Sequence, residues 1–131
     1  MLFTLGANTV DVDVDATRAM YEKRIEIYRN CSCPSCRNYQ SRLARISLAA
    51  KSFFASMGVI PDKAEEAWAY LPGTEQGTQQ YTCRFPLVYG NADIRDGEGF
   101  TKVEDGLMAG FRLVDGKAVL VVDWTLRWLC F

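Results

Sequence analysis

From Val10 to Asp15 apolar and acidic residues alternate without a break, Val10, Val12 and Val14 against Asp11, Asp13 and Asp15. A period of two is the pattern of a strand with one buried face. Leu2 to Leu5 forms a shorter apolar run ahead of it, and Gly6-Ala7-Asn8 supplies turn residues between them. The pattern therefore predicts an N-terminal β-hairpin. Asp15 is placed to cap a helix from Ala16 to about Arg24, its carboxylate accepting a bond from a first-turn amide. Ile25-Glu26-Ile27-Tyr28 either prolongs that helix or forms a short strand.

The period then changes. Tyr39, Leu43, Ile46, Ala50, Phe53 and Met57 follow one another at intervals of three and four, with Arg37, Arg42, Arg45 and Lys51 off the stripe. This predicts one long helix opened by Pro34, whose missing N–H is not needed at a first helical position, and closed at Gly58. A further helix is expected from Pro61 or Asp62 to near Tyr70, ahead of Pro72-Gly73, with Trp68 and Leu71 on the core. Gly73 to Gln80 reads as a polar loop. Tyr81 to Tyr89 is β-rich, with Pro86 pointing to an edge or bulge, and Gly90 to Gly99 is a second loop. Leu107 to Val114 and Lys117 to Trp128 form a hairpin turning at Asp115-Gly116. Ala118 to Val122 is apolar on both faces, as a central strand would be.

These elements predict an α+β fold, an antiparallel sheet of about five strands with two or three helices packed on one face. The chain has 131 residues, 49% of them hydrophobic and 24% charged, enough for a single domain over residues 1–131 with its own core. No apolar run reaches the roughly 18 residues that span a bilayer, so no membrane partner is expected. The start lacks a basic segment and a long apolar stretch, which argues for a cytoplasmic location.

Charge is unevenly spread. Between Ala16 and Lys51 eight Lys or Arg side chains face only Glu22 and Glu26, so the segment carries +6 and the remainder −7 of a total of −1. Arg18, Arg37, Arg42, Arg45 and Lys51 could steer an anionic partner, nucleic acid or an acidic protein surface, to one side. The same split also fits internal complementarity between helices and sheet.

Candidate chemistry concentrates in Cys31-Ser32-Cys33-Pro34-Ser35-Cys36. In a reducing compartment an odd total of five cysteines is not a disulfide framework. A structural zinc site needs four thiolate or imidazole ligands, and the chain has no histidine. Cys31, Cys33 and Cys36 would then be joined by Cys83 or Cys130, with Cys83 preferred because Cys130 ends an apolar run. Alternatively, Ile25 to Tyr28, a short loop and Cys33-Pro34-Ser35-Cys36 opening a helix resemble the glutaredoxin and thioredoxin-like active site. That resemblance implies thiol–disulfide oxidoreductase activity, Cys33 as nucleophile and Cys36 as resolving thiol. A helix start lowers a thiol pKa, as such chemistry requires. After Cys36 the chain departs from that fold: Pro61 follows the helix and strands end the sequence. The third reading is small thiols packed reduced and inert.

Other signals are weaker. Asp11, Asp13, Asp15 and Glu22 have the spacing of a calcium loop, but Ala16 stands where its turn needs glycine. A strand would instead set the carboxylates about 6.8 Å apart along a solvated face. Without histidine the usual neutral-pH base is missing, and no catalytic residue is assigned. Gly97-Glu98-Gly99 is too slight for a phosphate loop. Trp124, Trp128 and Phe131 read as core.

The motif Cys31-x-Cys33-x-x-Cys36-x-Asn38-Tyr39, between an N-terminal hairpin with its helix and a long helix, resembles a group of uncharacterised small proteins of Clostridia-like gut bacteria and their mobile elements. Phe54 through Met57-Gly58-Val59-Ile60-Pro61-Asp62-Lys63, Glu66, the Tyr81 to Tyr89 strand and Trp128-Leu129 extend the resemblance over most of the chain. It implies no activity or substrate and favours a structural metal. The expected function is a non-enzymatic binding or interaction protein, stapled by zinc at its cysteines.

Overall fold

The computed structural model describes residues 1–31, 33–70, 77–95 and 99–128. Strands β1 (Leu2–Leu5) and β2 (Asn8–Val12) form the expected hairpin, with Gly6 at φ 62° in its turn. Helix α1 spans Val14–Glu22. It begins earlier than the pattern predicts, because Asp13 rather than Asp15 is the cap and accepts from the Ala16 amide at 3.0 Å. A 3-10 turn at Ile27–Asn30 leads to α2 (Pro34–Leu43) and α3 (Leu48–Ser56).

The single long helix expected from the stripe is thus two. Ser47 stops helical continuity, adopting φ −63° and ψ 161° and capping α3 through the Ala50 amide at 3.0 Å. Its hydroxyl also bonds Glu104, so the break is held from outside. The stripe still faces inward: Tyr39, Ala50 and Met57 are buried, and Leu43, Ile46 and Phe53 pack against the core.

A second correction concerns the segment after Pro61, expected as a helix to Tyr70. It makes a 3-10 turn at Pro61–Lys63 and then strand β3 (Glu66–Tyr70). The backbone of Glu66 to Tyr70 pairs in full with Arg84 to Gln80, which local helix propensity cannot match. Trp68 consequently lies on the solvent side, 44% exposed beneath the Arg84 guanidinium, and not on the core. Leu71 falls outside the described residues.

The remaining strands are β4 (Thr78–Pro86), β5 (Tyr89–Asp93), β6 (Thr101–Glu104), β7 (Leu107–Val114) and β8 (Lys117–Arg127). An antiparallel five-stranded sheet has the order β3-β4-β8-β7-β6, and β5 joins the N-terminal hairpin in a three-stranded sheet, β1-β2-β5. Residues read as loop from Gly90 to Asp93 are therefore strand. Pro86 ends β4, where its lost donor is harmless. Asp115 and Gly116 turn the β7–β8 hairpin at φ 52° and 76°.

Alternation along β4 and β8 directs Tyr81, Cys83, Phe85, Leu120, Val122 and Trp124 to one face, where α2 and α3 cover them. Phe54 of α3 lies flat on Trp124, centroids 5.5 Å apart at 6°, and tilts against Phe85 at 5.4 Å. Gly58 lets the chain leave α3 at φ 79°, where a Cβ would stand 2.4 Å from the Val14 carbonyl oxygen. Asn8, fully buried, joins the two sheets: its amide donates to the Phe111 carbonyl at 3.3 Å and its oxygen accepts from the Arg95 amide at 2.8 Å. No helix among the described residues is long and apolar enough to cross a membrane.

Candidate metal centre

Cys33 is the N-cap of α2. Its backbone is extended at φ −65° and ψ 159°, Pro34 takes the first helical position, and its sulfur accepts from the Cys36 amide at 3.4 Å. The cap arrangement turns the Cys33 and Cys36 side chains toward one another. Cys31 leaves the 3-10 turn in an extended conformation, its amide still bonded to the Tyr28 carbonyl at 3.3 Å. That brings its thiol to donate to the Cys33 sulfur at 3.2 Å. The three sulfurs lie within 4.8 Å of one another. Thiolates at about 2.3 Å from a tetrahedral ion stand about 3.8 Å apart, so small side-chain rotations would close this set on one metal.

The three thiols are electrostatically unequal. Cys33 is held below the ordinary thiol range, first by the Cys36 amide and then by the Cys31 thiol, both of which stabilise its thiolate. Cys36 is pushed well up by desolvation, with the neighbouring thiols adding to it. The Cys33 sulfur is thus the one most readily deprotonated, flanked by the Cys31 thiol and the Cys36 amide as donors. A bound cation would offset both the burial and the crowding of sulfur charge.

A scaffold of buried polar contacts fixes this turn. The Tyr81 hydroxyl donates to the Ser35 carbonyl at 2.6 Å and accepts from the fully buried Asn38 amide at 3.2 Å. The Tyr39 hydroxyl donates to the Pro61 carbonyl at 2.8 Å, and its ring tilts against Tyr81 at 5.4 Å. Both tyrosines are therefore hinged between helix, sheet and the turn at Pro61. Composition and spacing did not reveal Asn38 and Tyr81 as supports, although Asn38 lies inside the cysteine motif.

A cavity of about 270 Å³ adjoins the three cysteines, between α2 and the inner side of β3. Ile27, Ala67 and Ala69 line it together with the thiols. Cys83 stands outside the three-thiol group. It is fully buried on β4 between the pairing partners Ala67 and Val122, with its thiol toward Tyr39, and burial pushes its pKa up to about 12. Cys130, the other sequence candidate for a fourth ligand, lies outside the described residues.

The basic residues divide. Arg18 is engaged within the fold, donating to the Ala55 carbonyl at 3.2 Å and lying 3.7 Å from Asp15. Arg37, Arg45 and Lys51 are exposed on or beside α2 and α3, and Arg42 is half-buried. Asp11, Asp13 and Asp15 are exposed, as expected of a solvated face, with Asp11 bonded to the Met1 amino group and Asp13 spent as a helix cap. The arrangement defines a mixed α+β domain with a three-thiol cluster at a helix start. Comparison with protein-family models, curated proteins and solved structures finds no match to this chain.

Proposed function

We propose that the chain is a non-enzymatic binding domain whose cysteine cluster is a structural zinc staple, Cys31, Cys33 and Cys36 holding one ion at the first turn of α2. The observation that supports this is the convergence of three sulfurs within 4.8 Å of one another. Soft thiolate donors in that number select zinc or a similar thiophilic ion over calcium or magnesium. Zinc would bind the Cys33 thiolate and draw the protons from its two neighbours, fixing the exit of the 3-10 turn to the start of α2. A reducing compartment such as the cytoplasm keeps those thiols available. The partner surface is the basic run of Arg37, Arg42, Arg45 and Lys51, suited to nucleic acid or an acidic protein.

Native mass spectrometry of protein purified without added zinc tests the staple. One zinc per chain, lost in Cys36→Ser, supports it; five free thiols and no metal refute it. For the partner, nucleic-acid affinity should fall steeply with salt for unrelated sequences.

A second reading, dithiol oxidoreductase, is favoured by one observation. The Cys31 and Cys33 sulfurs are 3.2 Å apart, and Cys33 has the surroundings of a stabilised thiolate. The closest pair for such chemistry is then Cys31 with Cys33. Disulfide reductase activity that Cys33→Ser abolishes would establish this reading, and its absence from the metal-free protein would end it.

A further inference from the structure

We infer that the metal centre accepts a small apolar thiol as an exchangeable ligand, seated in the cavity between α2 and β3. This rests on the metal reading given above. A zinc ion on three thiolates takes a fourth donor, and the space beside these sulfurs is large enough to admit one. At about 270 Å³ the cavity greatly exceeds the ~30 Å³ of a water molecule and fits a ligand of several heavy atoms.

Its walls specify the ligand's chemistry. Ala67 and Ala69 present methyl groups from the side of β3 that carries Cys83 and Tyr81 on β4, and Ile27 of the 3-10 turn also lines the cavity. The Tyr39 and Tyr81 rings also line the cavity, but their hydroxyls are committed to the Pro61 and Ser35 carbonyls. A ligand lodged there meets mainly hydrocarbon and aromatic surface, with the cysteines and Ser35 as the other lining residues. A molecule with a soft sulfur at one end and a short hydrocarbon body matches both halves. An alcohol of the same size offers the same body with a harder donor and is the natural control.

Binding involves no redox change. The thiol loses its proton to solvent as its sulfur joins the metal, and the reverse step releases it. Such a ligand also accounts for small residues at alternate positions of the edge strand β3, Ala67 half-buried and Ala69 exposed, where larger side chains would fill the space beside Tyr81.

Cobalt(II), which occupies tetrahedral thiolate sites and reports sulfur ligation through charge-transfer absorption, tests the inference. The cobalt-loaded protein is titrated with ethanethiol and, separately, with ethanol. Expected is a saturable rise in sulfur-to-cobalt absorption of about one third, three sulfurs becoming four, with no response to ethanol. Ala69→Leu should take up cobalt like the wild type but bind ethanethiol roughly tenfold or more weakly, because the longer side chain would occupy part of the cavity. An unchanged spectrum on adding ethanethiol would overturn the inference. So would four-sulfur intensity before any thiol is added, with Cys83→Ser and Cys130→Ser then identifying the protein ligand. Failure to take up cobalt at all would instead remove the metal reading beneath it.

Discussion

The Tyr81 hydroxyl donates to the Ser35 carbonyl at 2.6 Å, so the five-stranded sheet holds the cysteine-bearing turn directly. Ser35 lies between Cys33 and Cys36, and its carbonyl direction sets how the first turn of α2 sits over β4. The same hydroxyl accepts from Asn38, fully buried on the next turn. Position of the site and integrity of the core are therefore one problem, solved by one oxygen atom.

Tyr81→Phe should leave the fold in place but cost about 1–3 kcal/mol, since it removes a short bond and strips the buried Asn38 amide of an acceptor. Urea denaturation should show a lower midpoint with an unchanged slope. Metal uptake should weaken as well, because Ser35 loses its anchor. A midpoint equal to wild type would mean that the turn is held by other contacts.

Gly58→Ala tests a different joint. At φ 79° an alanine is strained, and its Cβ would stand 2.4 Å from the Val14 carbonyl oxygen and 2.9 Å from the Arg18 amide nitrogen. Backbone strain of this kind costs of order 1–3 kcal/mol, and the close approach to α1 adds to it. The destabilisation should be read by guanidinium titration beside Gly77→Ala, which shares the φ of 79° but meets no neighbour within 4 Å. Equal losses in the two variants would show that packing against α1 adds nothing.

Gly58, Asp115-Gly116 and the strand half of the alternation, Val10 to Val12, were legible because each states its requirement locally: a positive φ, a two-residue hairpin turn, a period of two. Val14 and Asp15 continue the alternation but open α1 behind the Asp13 cap. The α3 break and the β3 strand were not. Ser47 sits inside an unbroken helical stripe, and its role depends on Glu104, far away in sequence. Trp68 and its neighbours become strand only because β4 offers a full ladder of partners. In the site, the Cys31, Cys33 and Cys36 cluster could be read from spacing and from Pro34. Its support by Tyr81 could not, because that contact spans 46 residues and leaves no periodic trace.

Burial of Cys83 ties stability to alkaline pH. Desolvation raises its pKa from 9.0 to about 12, so the folded state keeps the proton that the unfolded chain gives up. The group's contribution is fully present below the unfolded pKa and declines as pH rises toward the folded value. Between pH 8 and pH 10 the loss should be of order 1 kcal/mol, most of it above pH 9. Unfolded tyrosines also begin to ionise there, so the comparison with a variant lacking the thiol isolates it. Cys83→Ala should start from lower stability at pH 8, because it opens space in the core, yet lose correspondingly less by pH 10. Parallel pH dependences of the urea midpoint in the two proteins would contradict the assignment.

Metal should stabilise one part of the molecule more than the rest. The cluster joins the extended Cys31 to the cap of α2, whereas the pairing of β4 with β8 and the stack of Phe54 on Trp124 need no ion. With free zinc at 100 times its dissociation constant, linkage gives about 2.7 kcal/mol in favour of whichever state holds the site. Hydrogen exchange should therefore slow on zinc addition at Cys36 to Tyr39 and around Cys31, while amides in β4 and β8 change less. Local opening of α2 would break the site without unfolding the sheet, and protection should then report the ion there first. Cys36→Ser should erase the zinc effect at α2. Uniform protection across helix and sheet would mean instead that the site opens only with the whole fold.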